Sequence, residues 1–264
     1  MMALLPACAA RQAGIELIQA EQKGEMKNKT TITIVYDNNH YDNRLTTAWG
    51  FSCVVKAPQK IILFDTGGDG TILLHNMAKL GIDPKEIDVV VLSHVHGDHV
   101  GGLTRFLKSN SNVTIYMPTS FPQELKNEAR ITGAKLKEVD MAIELFDRAF
   151  TTGELDSGIK EQSLVLKSPN GLVVITGCAH PGIANIAEKA KEITGDEIYL
   201  MVWGFHLSGA SPSQVKYIVE RLLELEVEKV APCHCSGEMA RRLFSEYFGD
   251  NYIDCGVGKQ IVID

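Results

Sequence analysis

The sequence predicts an α/β chain folded as a single domain, with two β-sheets inside and helices outside. Three observations predict it. The apolar pattern switches repeatedly between a period of two and a period of about 3.6 residues, the marks of strand and helix. Hairpin signals occur in both halves, with helical stretches between them. No Pro- or Ser-rich linker, short tandem repeat or low-complexity tract interrupts the 264 residues, and that length suits one large domain with ample core.

In chain order, Thr30–Tyr36, Gly50–Lys56 and Lys60–Phe64 read as strands, and the last runs into the turn Asp65-Thr66-Gly67-Gly68-Asp69-Gly70. Thr71–Leu80 reads as a helix stopped by Gly81, glycine being a usual residue just past a helix end. Val89–Leu92 is a short apolar strand that leads directly into a histidine-rich loop. Asn112–Met117, Leu136–Val139 and Ile143–Phe146 are weaker strand signals around a helix near Pro122–Ile131. Beyond residue 160 the alternation is cleaner. Strands Ser163–Lys167 and Leu172–Thr176 flank Pro169-Asn170-Gly171, a strong hairpin signal. Helix Ile183–Ile193, strand Ile198–Val202, helix Pro212–Leu225 and strand Lys229–Ala231 follow, and helix Glu238–Phe248 with strand Gln260–Ile263 completes the chain.

Composition narrows the function class. With 45% hydrophobic and 22% charged residues, the chain is not disordered, collagen-like or a disulfide scaffold. The net charge of −7 argues against a nucleic-acid partner bound through a broad basic surface. No apolar run approaches the roughly 18–20 residues of a membrane span. Met1–Ala10 is apolar but short, and no basic residue precedes it, so it lacks the features of a secretory signal. Met26 directly precedes the first strand, so residues 1–25 are read as an extension and 26–264 as the domain. The six cysteines show no secreted disulfide spacing, and a reducing cytoplasm is the expected compartment. Cys53 reads as an inert core thiol, and Cys233-His234-Cys235 is too tight for a zinc finger.

The histidines carry the chemistry. Ser93-His94-Val95-His96-Gly97-Asp98-His99-Val100-Gly101-Gly102 offers three imidazoles and a carboxylate within six residues, a ligand set for zinc or another divalent transition metal. His94 and His96 alternate on an extended segment and can face one side. Gly97 permits the tight turn that brings Asp98 and His99 round, and Gly101-Gly102 permits close packing where a helix begins. Three further histidines, His180, His206 and His234, each follow an apolar strand. Strand ends are where α/β architectures gather their chemistry, so these loops are expected to converge on one rim. His40 and His75 fit no such pattern and read as ordinary polar residues.

His94-x-His96-x-Asp98-His99, preceded by Phe64-Asp65-Thr66-Gly67, resembles the metallo-β-lactamase superfamily over essentially Thr30 to Asp264. Glu161-Gln162-Ser163-Leu164, Gly177-Cys178-Ala179-His180-Pro181-Gly182, Gly204-Phe205-His206-Leu207 and Pro232-Cys233-His234-Cys235 resemble its branch named for the dihydropterin-condensing synthase of methanopterin biosynthesis. The resemblance implies an αββα sandwich with a dinuclear metal site in the groove at its top. It implies that His94 and His96 hold one ion, that Asp98 and His99 hold the other, and that Asp65 steadies a ligand from behind by accepting a hydrogen bond.

Two positions depart from the superfamily pattern. Glu161 stands where a histidine usually opens the strand before the bridging acid, and Cys178 stands where the bridging aspartate would be. The expectation is that His180 replaces the missing imidazole, with Cys178 near the metals as a soft ligand and Glu161 either a weaker candidate for that place or a supporting residue behind it. The alternative for Cys178 is a plain buried thiol. His234 matches the last metal histidine. His206 is a metal ligand, an acid/base or a substrate contact, and is counted with Asp98 as catalytic.

Two close divalent ions, most simply zinc with iron or manganese possible, activate a water and clamp two oxygens. The branch implies use of that clamp on a departing diphosphate, joining a hydroxymethylpterin diphosphate to an arylamine that carries a ribose phosphate. The expected partner is a small anionic, phosphate-bearing molecule. One alternative is hydrolysis of a phosphodiester, thioester or lactone. A second, from another class, is a non-catalytic metal-binding or sensing module, in which protein ligands close the coordination. A flavodiiron reductase wants a glutamate at position 96 and a flavin domain, and an RNA-processing nuclease wants an inserted RNA-binding arm. Neither is present.

Overall fold

The computed structural model describes residues 29–264, and the expected extension at residues 1–25 lies outside them. The first half comprises β1 (Thr30–Tyr36), β2 (Ser52–Lys56), β3 (Ile61–Phe64), α1 (Gly70–Lys79), β4 (Val89–Val91), α2 (Gly97–Val100), α3 (Leu103–Ser109), β5 (Thr114–Pro118), α4 (Gln123–Ile131) and β6 (Lys135–Val139). The second comprises β7 (Met141–Phe146), β8 (Ala149–Gly153), β9 (Leu164–Ser168), β10 (Gly171–Thr176), α5 (Ile183–Thr194), β11 (Ile198–Gly204), α6 (Pro212–Glu224), β12 (Lys229–Cys233), α7 (Glu238–Phe248) and β13 (Gln260–Ile263).

One sheet runs β13-β1-β2-β3-β4-β5-β6 and the other β12-β11-β10-β9-β8-β7. The last strand, β13, returns to pair antiparallel with β1, which fastens the chain end into the first sheet. A central core that includes Ile32, Phe51, Phe64, Val91, Leu164, Ile175, Val202 and Trp203 fills the space between the sheets. Leu73, Met77, Phe106 and Ala129 pack the helices of the first half onto one outer face. Ile186, Val219, Leu222 and Phe244 pack α5, α6 and α7 onto the other. The four layers are therefore helix, sheet, sheet and helix, the αββα sandwich that the sequence predicts.

Local chemistry explains the element ends. Asp69 caps α1 through its side chain, which accepts from the Thr71 amide and so satisfies a donor that the helix start leaves open. Ser211 and Gln214 form a reciprocal capping box at the start of α6. Two differences from the sequence expectation matter. Strand β8 carries no clean alternation and exists because β7 and β9 pair on either side of it. Strands β11 and β12 extend two residues past their apolar runs, because the ladder continues through Trp203↔Pro232 and Gly204↔Cys233. That extension carries the sheet up to His206 and His234.

Strands β3, β4 and β5 run parallel, as do β10, β11 and β12. Their C-terminal ends deliver Asp65, Ser93, Gly177, Phe205 and His234 to one rim. At the opposite rim, Thr30, Phe146, Arg148, Lys167 and Ile263 line a cavity of about 290 Å³, remote from the histidines. Among the described residues no helix is long and apolar enough to cross a membrane.

Candidate metal centre

The rim loops are held together by their backbones. The Thr66 amide and hydroxyl both donate to the His99 carbonyl, at 2.7 and 3.0 Å. The Phe51 amide donates to the Asp98 carbonyl at 3.2 Å. A Cβ on Gly177 would lie 2.1 Å from Ser93 Oγ, so only glycine lets the two halves approach here. Among the described residues seven non-glycine positions have positive φ, and five of them, Asp65, Ala179, Trp203, His206 and His234, belong to this rim. Such backbones cost on the order of 1 kcal/mol or more each and persist where the surroundings enforce them.

All seven residues expected to ligate metal come together. His94, His96 and His180 form one cluster, and Asp98, His99 and His234 another, each with ligand atoms within 4.8 Å of one another. Cys178 lies between them, its Sγ 3.3 Å from His99 Nε2. It also groups with His94 and His99, and separately with His206 and Cys235. The exposed His206 ring lies 4.3 Å from that of His180, tilted by 51°. His40 is engaged elsewhere, contacting Thr47, and neither it nor His75 joins a cluster.

Three hydrogen-bond partners fix which nitrogens face inward. Asp65 Oδ2 accepts from His99 Nδ1 at 2.7 Å and from the Ser93 hydroxyl at 2.6 Å. Because an ionised carboxylate only accepts, Ser93 spends its single proton on Asp65 and in turn accepts from His94 Nδ1 at 2.9 Å. Asn38 Oδ1 accepts from His234 Nδ1 at 2.9 Å, while its amide donates to the His234 carbonyl. In their neutral forms His94, His99 and His234 therefore turn Nε2 lone pairs toward the centre. Those of His99 and His234 lie 3.2 Å apart, and His94 Nε2 lies 3.2 Å from His96 Nδ1. The facing lone pairs of neutral His99 and His234 repel unless a proton or cation sits between them. His180 Nε2 is buried with no hydrogen-bond partner. These donors fit a divalent transition metal in both composition and direction.

Glu161 does not face the cluster. Its Oε1 accepts from the amides of Gly177, Cys178 and Ala179 at 2.9–3.0 Å, and its Oε2 from His180 at 2.9 Å. The carboxylate thus folds the loop that carries Cys178 and His180, and its oxygens are turned to backbone amides and not to the place of the missing imidazole. Sequence reasoning missed Asn38 and the relay function of Ser93. Ser93 abuts the motif and Asn38 follows a strand end, so position was the available signal; their partners were not.

Electrostatics follow from this crowding. Burial, then the neighbouring imidazoles, hold His94 well below the usual histidine pKa. Burial and the facing His206 and His96 bring His180 down to about 4. Burial works against protonation of His99 too, but the Asp65 charge and hydrogen bond outweigh it and raise its pKa. Burial alone would raise Asp98, yet the His234 hydrogen bond and the His99 and His234 charges bring it to about 2. Hydrogen bonding with Cys235 raises His206. The Cys235 sulfur, burial and the Glu161 and Asp98 charges raise Cys178, so it stays a thiol until a cation offsets that field.

Residues 50–234 match the model of the metallo-beta-lactamase superfamily. The chain is 28% identical, over 90% of its length and 98% of the relative's, to the 7,8-dihydropterin-6-methyl-4-(beta-D-ribofuranosyl)-aminobenzene-5'-phosphate synthase of Methanocaldococcus jannaschii. It resembles the crystal structure of Tm1679, a metal-dependent hydrolase of the beta-lactamase superfamily, with a TM-score of 0.75 and 30% identity over 88% of this chain and 98% of that one. Human tRNase Z, short form, shares the fold at a TM-score of 0.60 and 15% identity, over 89% and 99% of the two chains.

Proposed function

The chain belongs to the metallo-β-lactamase superfamily, and we propose that it is a metal-dependent enzyme with a dinuclear centre acting on a small phosphate-bearing substrate. The facing nitrogens carry this reading: neutral His99 and His234 aim Nε2 at Nε2 across 3.2 Å, and His94 Nε2 lies 3.2 Å from His96 Nδ1. His94, His96 and His180 would hold one ion, Asp98, His99 and His234 the other, and Cys178 would reach both. Two divalent ions bound there would activate a water and neutralise charge on phosphate oxygens. Zinc suits the donors best, with iron and manganese as the alternatives.

The similarity to the methanogen synthase favours condensation of a hydroxymethylpterin diphosphate with an arylamine that carries a ribose phosphate. In that reaction the arylamine nitrogen displaces diphosphate and loses one proton. His206, exposed beside His180, would take that proton or contact a phosphate. The similarity to a metal-dependent hydrolase supports the second reading, in which water attacks a phosphodiester, thioester or lactone. A purely metal-holding module is disfavoured because His96, Asp98, His180 and His206 all retain solvent exposure, whereas a structural site closes on itself. A reducing cytoplasm suits the reading, since it keeps Cys178 a thiol.

The test is metal analysis of protein purified without added metal, followed by product analysis with pterin diphosphate plus arylamine, phosphodiesters and thioesters. We expect about two ions per chain, and a loss of turnover of roughly 100-fold or more in His96→Ala with the melting temperature of the metal-free protein unchanged. Turnover that survives both chelation and His96→Ala would refute the enzyme reading, and unfolding of His96→Ala would favour the metal-holding module.

A further inference from the structure

We propose that Trp49 is a stacking shelf on which a flat, uncharged or anionic heteroaromatic ring of the substrate lies while its phosphate end enters the metal centre. The proposal rests on the reading above of a site for a phosphate-bearing substrate.

The two tryptophans of the chain are treated oppositely. Trp203 is fully buried between the sheets, whereas Trp49 is 59% exposed at the rim. Its ring centroid lies 5.0 Å from that of His234 at an interplanar angle of 50°, so the indole adjoins a metal-site histidine and keeps surface free to solvent. Folding gains little from an aromatic ring left so open.

The backbone around Trp49 is nonetheless fixed on both sides. Asn76, itself fully buried, accepts from the Thr46 amide at 3.0 Å and donates to the Thr46 carbonyl at 2.9 Å. The Ala48 amide donates to the Asp37 carbonyl at 3.2 Å, and the Phe51 amide to the Asp98 carbonyl at 3.2 Å. Gly50 has φ +133°, and a Cβ there would come within 2.4 Å of the Asp98 carbonyl oxygen. The loop is therefore docked on the turn that carries the Asp98 ligand, and Trp49 is presented at a set distance from the centre. A ring ordered before binding loses little further freedom when a ligand stacks on it.

Charge selects the occupant. Indole faces attract cations as well as flat rings, but a cationic ligand beside two divalent ions would be repelled. A neutral or anionic heteroaromatic ring meets no such penalty, and stacking on tryptophan is tolerant of its substituents.

Binding of 6-hydroxymethylpterin and of ribose 5-phosphate to the metal-loaded full chain tests this, in wild type, Trp49→Ala and Trp49→Phe. We expect Trp49→Ala to raise the pterin Kd roughly tenfold, Trp49→Phe to stay within about threefold, and ribose 5-phosphate to bind all three alike. The shelf is overturned if wild type does not bind the pterin, if Trp49→Ala binds it as wild type does, or if ribose 5-phosphate weakens in parallel. Pterin binding through Trp49 without turnover on any substrate would sink the enzymatic reading and leave the shelf. Turnover of the pterin substrate with a KM indifferent to Trp49→Ala would sink the shelf alone.

Discussion

The two candidate ligand clusters are built differently although they share one rim. Asp98, His99 and His234 are braced from behind: Asp65 takes the far nitrogen of His99, and Asn38 that of His234. Phe51 and Trp49 flank the His234 ring. In the other cluster His94 is tied through Ser93 to Asp65, but among the described residues neither ring nitrogen of His180 has a hydrogen-bond partner. Among the described residues no hydrogen bond braces the far nitrogen of His96. Braced imidazoles are more basic and better aimed. The His234 cluster is thus preorganised and would hold an ion tightly, while the His180 cluster, next to exposed His206, is the adaptable end.

The largest effect is expected from removing what shapes the His180 loop without touching a ligand. Glu161→Ala leaves the buried amides of residues 177 to 179 and the partly buried amide of His180 without an acceptor. Each unmet donor costs roughly 1–3 kcal/mol. We expect a loss of about 4 kcal/mol or more by this measure, which corresponds to roughly 10 °C in Tm, together with loss of the ion at the His180 cluster. A calorimetric Tm within about 3 °C of wild type would show that Glu161 does not organise the loop.

Next in size is the contrast of Asp65→Asn with Asn38→Ala. Asp65 serves both clusters, directly through His99 and by the Ser93 relay through His94. Asn38 serves His234 alone. Loss of such a partner typically weakens metal binding about 10–100-fold. Competition titration with a chelator should show both ions weakened in Asp65→Asn and one, by about tenfold, in Asn38→Ala. Equal weakening of both ions in Asn38→Ala would mean that the clusters are not separable units.

What the sequence disclosed follows the same divide. His94, His96, Asp98 and His99 are legible because a single loop carries them, so their spacing alone states the chemistry. His180, His206 and His234 could be found only by their shared position past apolar strands, which predicts convergence on a rim but not partners. The roles of Asn38 and Glu161 were beyond spacing altogether. Asn38 meets His234 across a separation of 196 positions, and Glu161 acts on backbone amides, which carry no residue-type signal. The sheets show a parallel contrast: Leu172–Thr176 announced itself by its apolar run, whereas β8 depends on the neighbours that pair with it.

The smallest effect separates the clusters by sign. The folded-state pKa of His180 is about 4, below the roughly 6.5 of an unfolded histidine. Between those values the unfolded chain binds a proton that the folded chain does not, so stability of the metal-free protein falls as pH drops from about 6.5 to 4. His94, also depressed, adds to the same slope. His99 works oppositely, because Asp65 raises its pKa: its contribution is fully present below the unfolded pKa and is lost as pH rises through the folded one. Denaturant titrations of chelated protein across pH 4–7 should therefore give a shallower acid slope in His180→Gln than in wild type, by less than one proton since the ring is partly exposed. Asp65→Asn should steepen the acid slope, because burial, no longer opposed by the Asp65 charge, then lowers His99 as it lowers His180. Identical slopes in wild type and His180→Gln would place the open, unbraced character of this cluster elsewhere than in His180.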